Sequence, residues 1–289
     1  MKEHMFTERL LDLRLIFAYN KERRDMREKK YEELTITDDF MFSKVMRNSD
    51  LCKQFLEYVL DIKIASIAYP DYQKVIDISV DAKSVRLDIY VEDEAHTVYN
   101  VEMQSVRKKH LPKRSRYYQG MIDLNLIEKG EHYESLKKSF VIFICTFDPF
   151  EQGRHRYTFQ NLCLEDRNLQ LEDETVKVFI NTKGSMGDVS EELKQIFAYF
   201  NGQEAVGDYA EKLREEVDRV KKNKEWRLEY MTLQMREMEK YEEGLEKGIE
   251  KGIRLTKSVI RLDAEGYAVS DIATELQISE EEVKRILEE

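Results

Sequence analysis

The stretch that decides the fold is SVRLDIYVEDEAHTVYNVEMQSV, residues 84–106. Two runs that alternate apolar and polar residues flank the polar segment EDEAH, which is the pattern of a β-hairpin. If the chain folds back symmetrically about Ala95, Asp88 lies directly opposite Glu102 on the same face of the sheet. Gln104 shares that face, two residues further along the second strand.

Asp88 and Glu102, called the acidic pair below, need a physical explanation. Two carboxylates at opposed positions of neighbouring strands repel each other, and the repulsion lowers the stability of the fold. A bound divalent cation is the usual reason for such a pair. The alternative is an inert structural hairpin with exposed carboxylates, and the hairpin pattern alone leaves it open.

The segments around the hairpin predict a mixed α/β domain. Two amphipathic helices are expected over residues 34–46 and 49–62, with Ser49 or Asp50 as the cap of the second. A helix is expected over residues 114–130, ended by Gly130. Further strands are predicted at 73–81, 139–147, 157–164 and 175–182. Helices and strands interspersed in this order indicate an α/β fold.

The chain divides into four parts by composition. Residues 1–32 are a charged helical arm, and residues 33–187 are the α/β domain. Residues 188–255 lack any strand pattern and predict a helical, coiled-coil-like extension. Residues 256–289 form a small C-terminal segment with helix-turn-helix punctuation.

The extension predicts self-association. Residues 208–255 are expected to form one long helix, whose apolar residues recur at spacings of three and four, the seam of a coiled coil. The second half of that row, called the apolar stripe below, consists of Leu228, Met231, Met235 and Met238. A second copy would cover it in a homo-oligomer, or the stripe folds back on the α/β domain. A glycine row indicates close helix approach or a hinge: Gly244, Gly248 and Gly252.

Charge restricts the nucleic-acid-binding surface to one place. The net charge is -11, so any binding to phosphate must use a local basic patch. Residues 107–116, the basic segment, begin three positions after Gln104. Its lysines and arginines are Arg107, Lys108, Lys109, Lys113, Arg114 and Arg116. They are candidate DNA contacts, and a solvated loop is the alternative. Residues 256–289 carry four basic against nine acidic residues, which favours packing or oligomerisation over DNA reading.

The cysteines and the hydropathy of the chain indicate the cellular compartment in which it is expected. The three cysteines, Cys52, Cys145 and Cys163, match neither a disulfide framework nor a zinc spacing, so we expect reduced thiols in the cytoplasm. No uncharged run approaches membrane-spanning length, and the charged N-terminus does not fit a signal peptide. We therefore expect no membrane partner.

These motifs together resemble a known family. LDIYV followed by NVEMQ resembles the D…ExQ variant of the PD-(D/E)XK nuclease motif. LTITDDFMFSKVM resembles the DxxFK opening of the Rpn-type recombination-promoting nucleases, also described as putative transposases. Asp39, Phe42 (or Phe40) and Lys44 carry this second likeness, and Asp39 is a possible additional site residue. The resemblance covers about residues 35–185.

The resemblance implies a fold and an activity. The fold is a restriction-endonuclease-like core, a mixed central sheet flanked by helices, with an all-α C-terminal extension. Asp88, Glu102 and Gln104 would be catalytic, and Asp88, Glu102 and the Met103 carbonyl would ligate Mg²⁺ or Mn²⁺. The implied function is a Mg²⁺-dependent DNA endonuclease associated with recombination or transposition. Gln104 stands where most of the superfamily has lysine, and Leu87 where its name expects proline. The alternative is a non-catalytic oligomeric or DNA-binding protein that retains the fold.

Overall fold

A computed structural model describes residues 29–69, 88–127, 130–186 and 189–288. The predicted arm up to residue 28 and the predicted strand at 73–81 lie outside the described residues. Within them, the chain forms a six-stranded mixed sheet flanked by helices, followed by a helical C-terminal part. This architecture confirms the predicted fold class. No helix in the described ranges has the length and apolarity of a membrane span.

The sheet has a parallel centre and antiparallel edges. Its strands are β1 (Ile67–Ala68), β2 (Ile89–Asp93), β3 (Val98–Gln104), β4 (Ser139–Cys145), β5 (Arg156–Phe159) and β6 (Thr175–Asn181). The spatial order is β1-β2-β3-β4-β6-β5, with β3, β4 and β6 parallel and the other pairings antiparallel. Every residue of β3 is buried, as expected for a central strand covered on both faces.

The described residues form eight α-helices. They are α1 (Asp39–Val45), α2 (Ser49–Leu60), α3 (Leu111–Leu126), α4 (Glu191–Phe200), α5 (Asp208–Lys222), α6 (Lys224–Ala264), α7 (Val269–Leu276) and α8 (Glu280–Glu288). The cap of α2 is Asn48, whose side chain accepts from the Asp50 and Leu51 amides. The predicted cap, Ser49 or Asp50, is therefore wrong by one or two residues.

The predicted register of the hairpin is confirmed. Ile89 pairs with Val101 and Tyr90 pairs with Asn100, so β2 and β3 fold back about Ala95. The same register continues by one residue to place Asp88 opposite Glu102. A one-residue slip of β2 would turn its buried residues Ile89 and Val91 to the opposite face, so the apolar pattern of β2 favours this register.

Helix α3 covers the face of the sheet that carries the acidic pair. Its buried residues Tyr118, Met121 and Ile122 pack with Val141 and Phe143 of β4 in one apolar cluster. The predicted limits of this helix are wrong at both ends. It begins at Leu111, with a proline in its first turn, and ends before the extended residue Ile127 rather than at Gly130.

The predicted long helix over 208–255 is wrong because the chain breaks at Asn223. This residue has extended backbone angles, and its side chain accepts from the Glu225 and Trp226 amides at 2.9 and 3.1 Å. Asn223 therefore caps α6 instead of continuing α5. Helix α6 continues past the predicted end, to Ala264.

The described chain divides into two compact units. Residues 30–227 form the unit with the sheet, and they include α4 and α5. The apolar row of α5, Leu213, Val217 and Val220, is buried in this unit. Tyr31 lies in a 3-10 turn instead of the predicted helical arm, and its hydroxyl donates to the Val220 carbonyl at 2.7 Å. The α5 half of the predicted seam thus belongs to a globular core.

The second unit contains Lys29 and residues 228–288 of the described chain. That residues 256–289 are a separate helix-turn-helix segment stays a prediction. Helices α7 and α8 form a helical element joined by residues 277–279, of which Gln277 has left-handed backbone angles. The core of this element consists of Val259, Leu262, Ile272, Ala273 and Val283. The apolar stripe on α6 is exposed, with 37% to 66% of its side-chain surface accessible.

Candidate active site

The acidic pair lies where the hairpin meets the carboxyl end of β3. The backbone amide of Asp88 donates to Oε1 of Glu102 at 3.2 Å, and the amide of Met103 donates to Oδ2 of Asp88 at 3.1 Å. Each carboxylate is therefore fixed by the backbone of the opposite strand. The carboxyl ends of parallel strands are the usual ligand-binding edge of an α/β sheet.

Glu102 is buried beside a like charge. Its side chain is 1% exposed, whereas Asp88 is half-buried. Burial and then the charge of Asp88 raise the pKa of Glu102 well above its usual range, and Arg114 opposes the rise. Glu102 is thus not the exposed carboxylate that an inert structural hairpin would carry, because Arg114 of α3 covers it.

Arg114 of α3 is the centre of the polar contacts at this site. Its Nη2 donates to Oε2 of Glu102 at 3.0 Å, its Nη1 to Oε1 of Gln104 at 2.8 Å, and its Nε to the Tyr118 hydroxyl at 2.6 Å. The guanidinium also lies 5.0 Å from the ring centre of Tyr118 and 5.5 Å from that of Phe143. Arg114 therefore contacts two of the three predicted catalytic residues directly.

Gln104 joins the site through both ends of its amide. While Oε1 accepts from Arg114, Nε2 donates to the Met103 carbonyl at 2.8 Å, and the side chain is buried. Asp88, Glu102, Met103 and Gln104 thus lie together, as the sequence predicted.

Asp39, the first residue of α1, lies near the same charges. Burial raises the pKa of its carboxyl group, while the charges of Lys108 and Arg114 oppose this rise. The structure therefore brings Asp39 within electrostatic range of the basic segment and of Arg114, the residue that donates to Glu102.

The basic segment leaves the carboxyl end of β3 and enters α3. Arg107 is held at its base, since it donates to Glu151 at 2.8 Å and to the Asp148 carbonyl at 2.9 Å. Arg107 is nevertheless exposed, as are Lys108, Lys109, Lys113 and Arg116. Arg114 differs from them, because its guanidinium is directed to the acidic pair.

Sequence reasoning missed the role of Tyr118. Its buried hydroxyl accepts from Arg114, and Tyr118 is among the groups that lower the pKa of Glu102. The spacing of four between Arg114 and Tyr118 places both on one face of a helix, which was the available signal. Tertiary packing, not local sequence, decides which strand residues this face of α3 contacts.

Comparison with known proteins identifies the family. The sequence model of the PD-(D/E)XK nuclease family transposases matches residues 37–257. The chain belongs to this family. No curated protein and no solved structure gives a significant match.

The donor set of this PD-(D/E)XK family member fits a hard divalent cation. Among the described residues no group of three or more His, Cys, Asp or Glu side chains forms a metal site. The two carboxylates and the Met103 carbonyl nevertheless present oxygen atoms, which Mg²⁺ and Mn²⁺ prefer. A cation there would relieve the repulsion that raises the pKa of Glu102.

Proposed function

We propose that this chain is a metal-dependent endodeoxyribonuclease that hydrolyses phosphodiester bonds with Mg²⁺ or Mn²⁺. The observation that carries the proposal is the acidic pair, two carboxylates held opposite each other at the end of β3, directly before an exposed basic segment. Membership of a nuclease family transposase group supports a role in DNA recombination or transposition. Three free cysteines support a reducing, cytoplasmic location.

Asp88, Glu102 and the Met103 carbonyl would hold the metal. A divalent cation bound there supplies charge to the scissile phosphate and lowers the pKa of a bound water. Of the two carboxylates that would hold it, Asp88 is half-buried and Glu102 is buried. Gln104 orients the Met103 carbonyl through its amide.

The basic segment would hold the DNA backbone. Lys108, Lys109, Lys113 and Arg116 are exposed, and they follow β3, the strand of Glu102, in the sequence. Phosphate contacts of this kind position a duplex without reading its sequence. A second copy of the chain, joined through the C-terminal helices, would supply a second site for the other strand.

The proposal is tested by plasmid cleavage with Mg²⁺ or Mn²⁺. The wild type should nick or linearise supercoiled DNA, and the Asp88→Ala variant should not. Glu92→Ala is the matched control, because Glu92 lies on the same strand and face but at the turn. DNA binding by the wild type without any metal-dependent cleavage would support the non-catalytic alternative.

A further inference from the structure

Phosphodiester cleavage at the proposed site calls for positive charge. Negative charge develops on the phosphate during the reaction, beside carboxylates that are already negative. Gln104 is neutral and cannot offset this charge. Within the described chain, the side-chain cation in hydrogen-bond contact with both Glu102 and Gln104 is Arg114.

The geometry of Arg114 is that of a fixed group. Three guanidinium nitrogens donate to three different side chains, at 2.6 to 3.0 Å. The Cζ of Arg114 lies 5.0 Å from the ring centre of Tyr118 and 5.5 Å from that of Phe143, and 30% of the side chain remains exposed. A planar fork held in this way orients its acceptors more strictly than an ammonium does.

Its neighbours have different contacts. Arg107 is bound to the loop after β4, and Arg116, two residues further along α3, is exposed. Arg114 was expected to be one of several phosphate contacts of the basic segment. Its contacts instead separate it from that set and assign it to the acidic pair.

We propose that Arg114 is the positioning residue of the nuclease site. It orients Glu102 and Gln104 through its guanidinium fork and places a permanent positive charge beside them. This inference rests on the proposed function, and it assigns the charge of the site to a helix residue rather than to β3. Phosphodiester hydrolysis then depends on how α3 packs on the sheet.

The test moves the charge within the site. Arg114→Gln removes it, Arg114→Lys keeps it without the fork, and Arg114→Gln combined with Gln104→Lys restores it from β3. Arg116→Gln is the control, with the same loss of charge on the same helix. The full-length variants are compared by single-turnover plasmid cleavage, by DNA affinity without metal, and by Mn²⁺ titration.

We expect Arg114→Gln to slow cleavage by about 100-fold, the size of effect seen when one charge-stabilising donor is removed. DNA affinity should fall no more than in Arg116→Gln. Mn²⁺ should bind more tightly to Arg114→Gln, because Oε2 of Glu102 is released and a repelling charge is gone. Arg114→Lys and the double variant should each recover part of the cleavage rate.

An unchanged cleavage rate in Arg114→Gln would overturn the inference. So would a slow rate that neither Arg114→Lys nor the double variant recovers, since a purely structural role predicts that result. Mn²⁺ affinity separates this failure from failure of the proposed function. A wild type that binds Mn²⁺ without cutting DNA contradicts the function, whereas Mn²⁺ affinity that is equal in wild type and Arg114→Gln contradicts the role of Arg114.

Discussion

The carboxylate of Glu102 is buried next to that of Asp88, and this arrangement destabilises the metal-free fold. The pKa of Glu102 in the folded protein lies above the usual pKa of glutamate. The contribution of Glu102 to the free energy of unfolding is therefore fully present at pH values below that usual pKa. This contribution to stability is lost as the pH rises through the raised pKa that Glu102 has in the folded protein. Sites that bind charge commonly reduce the stability of the fold in this way.

Asp88→Asn should therefore stabilise the protein while it removes the proposed activity. Asparagine keeps an acceptor for the Met103 amide but removes the repelling charge. We expect the free energy of unfolding at pH 8, without metal, to rise by about 1 kcal/mol, the scale of one cross-strand charge pair. Urea unfolding from pH 5 to pH 8 measures this, with Glu92→Gln as control. A variant less stable than the wild type at pH 8 would contradict the account of Glu102.

The cysteines give a second prediction at this scale. Burial raises the pKa of Cys52 and of Cys145 to about 12, so both remain protonated at pH 8, while Cys163 is partly exposed. Ellman's reagent should label a single thiol in the native protein, because the thiolate is the reactive form. Cys163→Ser should remove this reaction, and denaturant should restore two reactive thiols. Rapid labelling of native Cys163→Ser would show that the core is not packed as described.

The same residues show how far the sequence could predict the site. The alternation of β3 placed Glu102 and Gln104 on one face, and the symmetric turn placed Asp88 opposite. Both follow from local periodicity. The contact of Arg114 with Glu102 does not, because it joins a helix to a strand through tertiary packing. Because Arg114 donates to the side chain of Gln104, Gln104→Lys alone would place a second cation against Arg114.

At the scale of elements, the basic segment links β3 to α3. Its first residues follow the carboxyl edge of the sheet, and its last residues form the first turns of α3. Periodicity predicted that a helix lies here, but not that it begins at Leu111. Proline in the first turn and the left-handed conformation of His110 determine that start.

Neutralising the exposed lysines of this segment should weaken DNA binding in a salt-dependent way. Replacing Lys108, Lys109 and Lys113 with alanine should reduce the slope of log affinity against log salt by about 0.9 for each phosphate that the variant no longer neutralises. Fluorescence anisotropy on a labelled duplex without metal measures the slope. The control variant removes three positive charges elsewhere in the same compact unit, at Lys194, Lys212 and Lys222. Equal slopes in the two variants would place the DNA elsewhere on the protein.

At the scale of the whole molecule, helices α5 and α6 differ in what their apolar residues contact. The apolar row of α5 is part of the core with the sheet, and the stripe on α6 is exposed. Periodicity runs across Asn223 in the sequence and so predicted one helix. The break depends on a capping side chain and on burial of α5, neither of which a spacing pattern contains.

The apolar stripe predicts that the chain self-associates through α6. Leu228, Met231, Met235 and Met238 are exposed. Within the described residues, a Cβ added at Gly244, Gly248 or Gly252 would meet no atom within 4 Å beyond the adjoining residues and backbone of its own helix. A second helix therefore has both an apolar seam and room to approach closely. This surface supports a homo-oligomer, which remains a prediction.

Light scattering of the full chain tests it. The wild type should be oligomeric at micromolar concentration, and Met231→Glu combined with Met235→Glu should be monomeric, since charge in a coiled-coil seam is strongly unfavourable. Lys240→Glu, on the same helix, should leave the assembly intact. A monomeric wild type would contradict the role of α6, and cleavage of both strands would then need separate encounters with the DNA.

The most direct test of the central claim is a calorimetric titration of Mn²⁺ into the wild type, Asp88→Asn and Glu102→Gln. The central claim is that the acidic pair exists to bind a divalent cation. We predict that the wild type binds a single ion per chain at this site and that both isosteric variants lose it, because each removes one of the two charged ligands. Binding of equal strength in all three proteins, or no binding in the wild type, would contradict the claim.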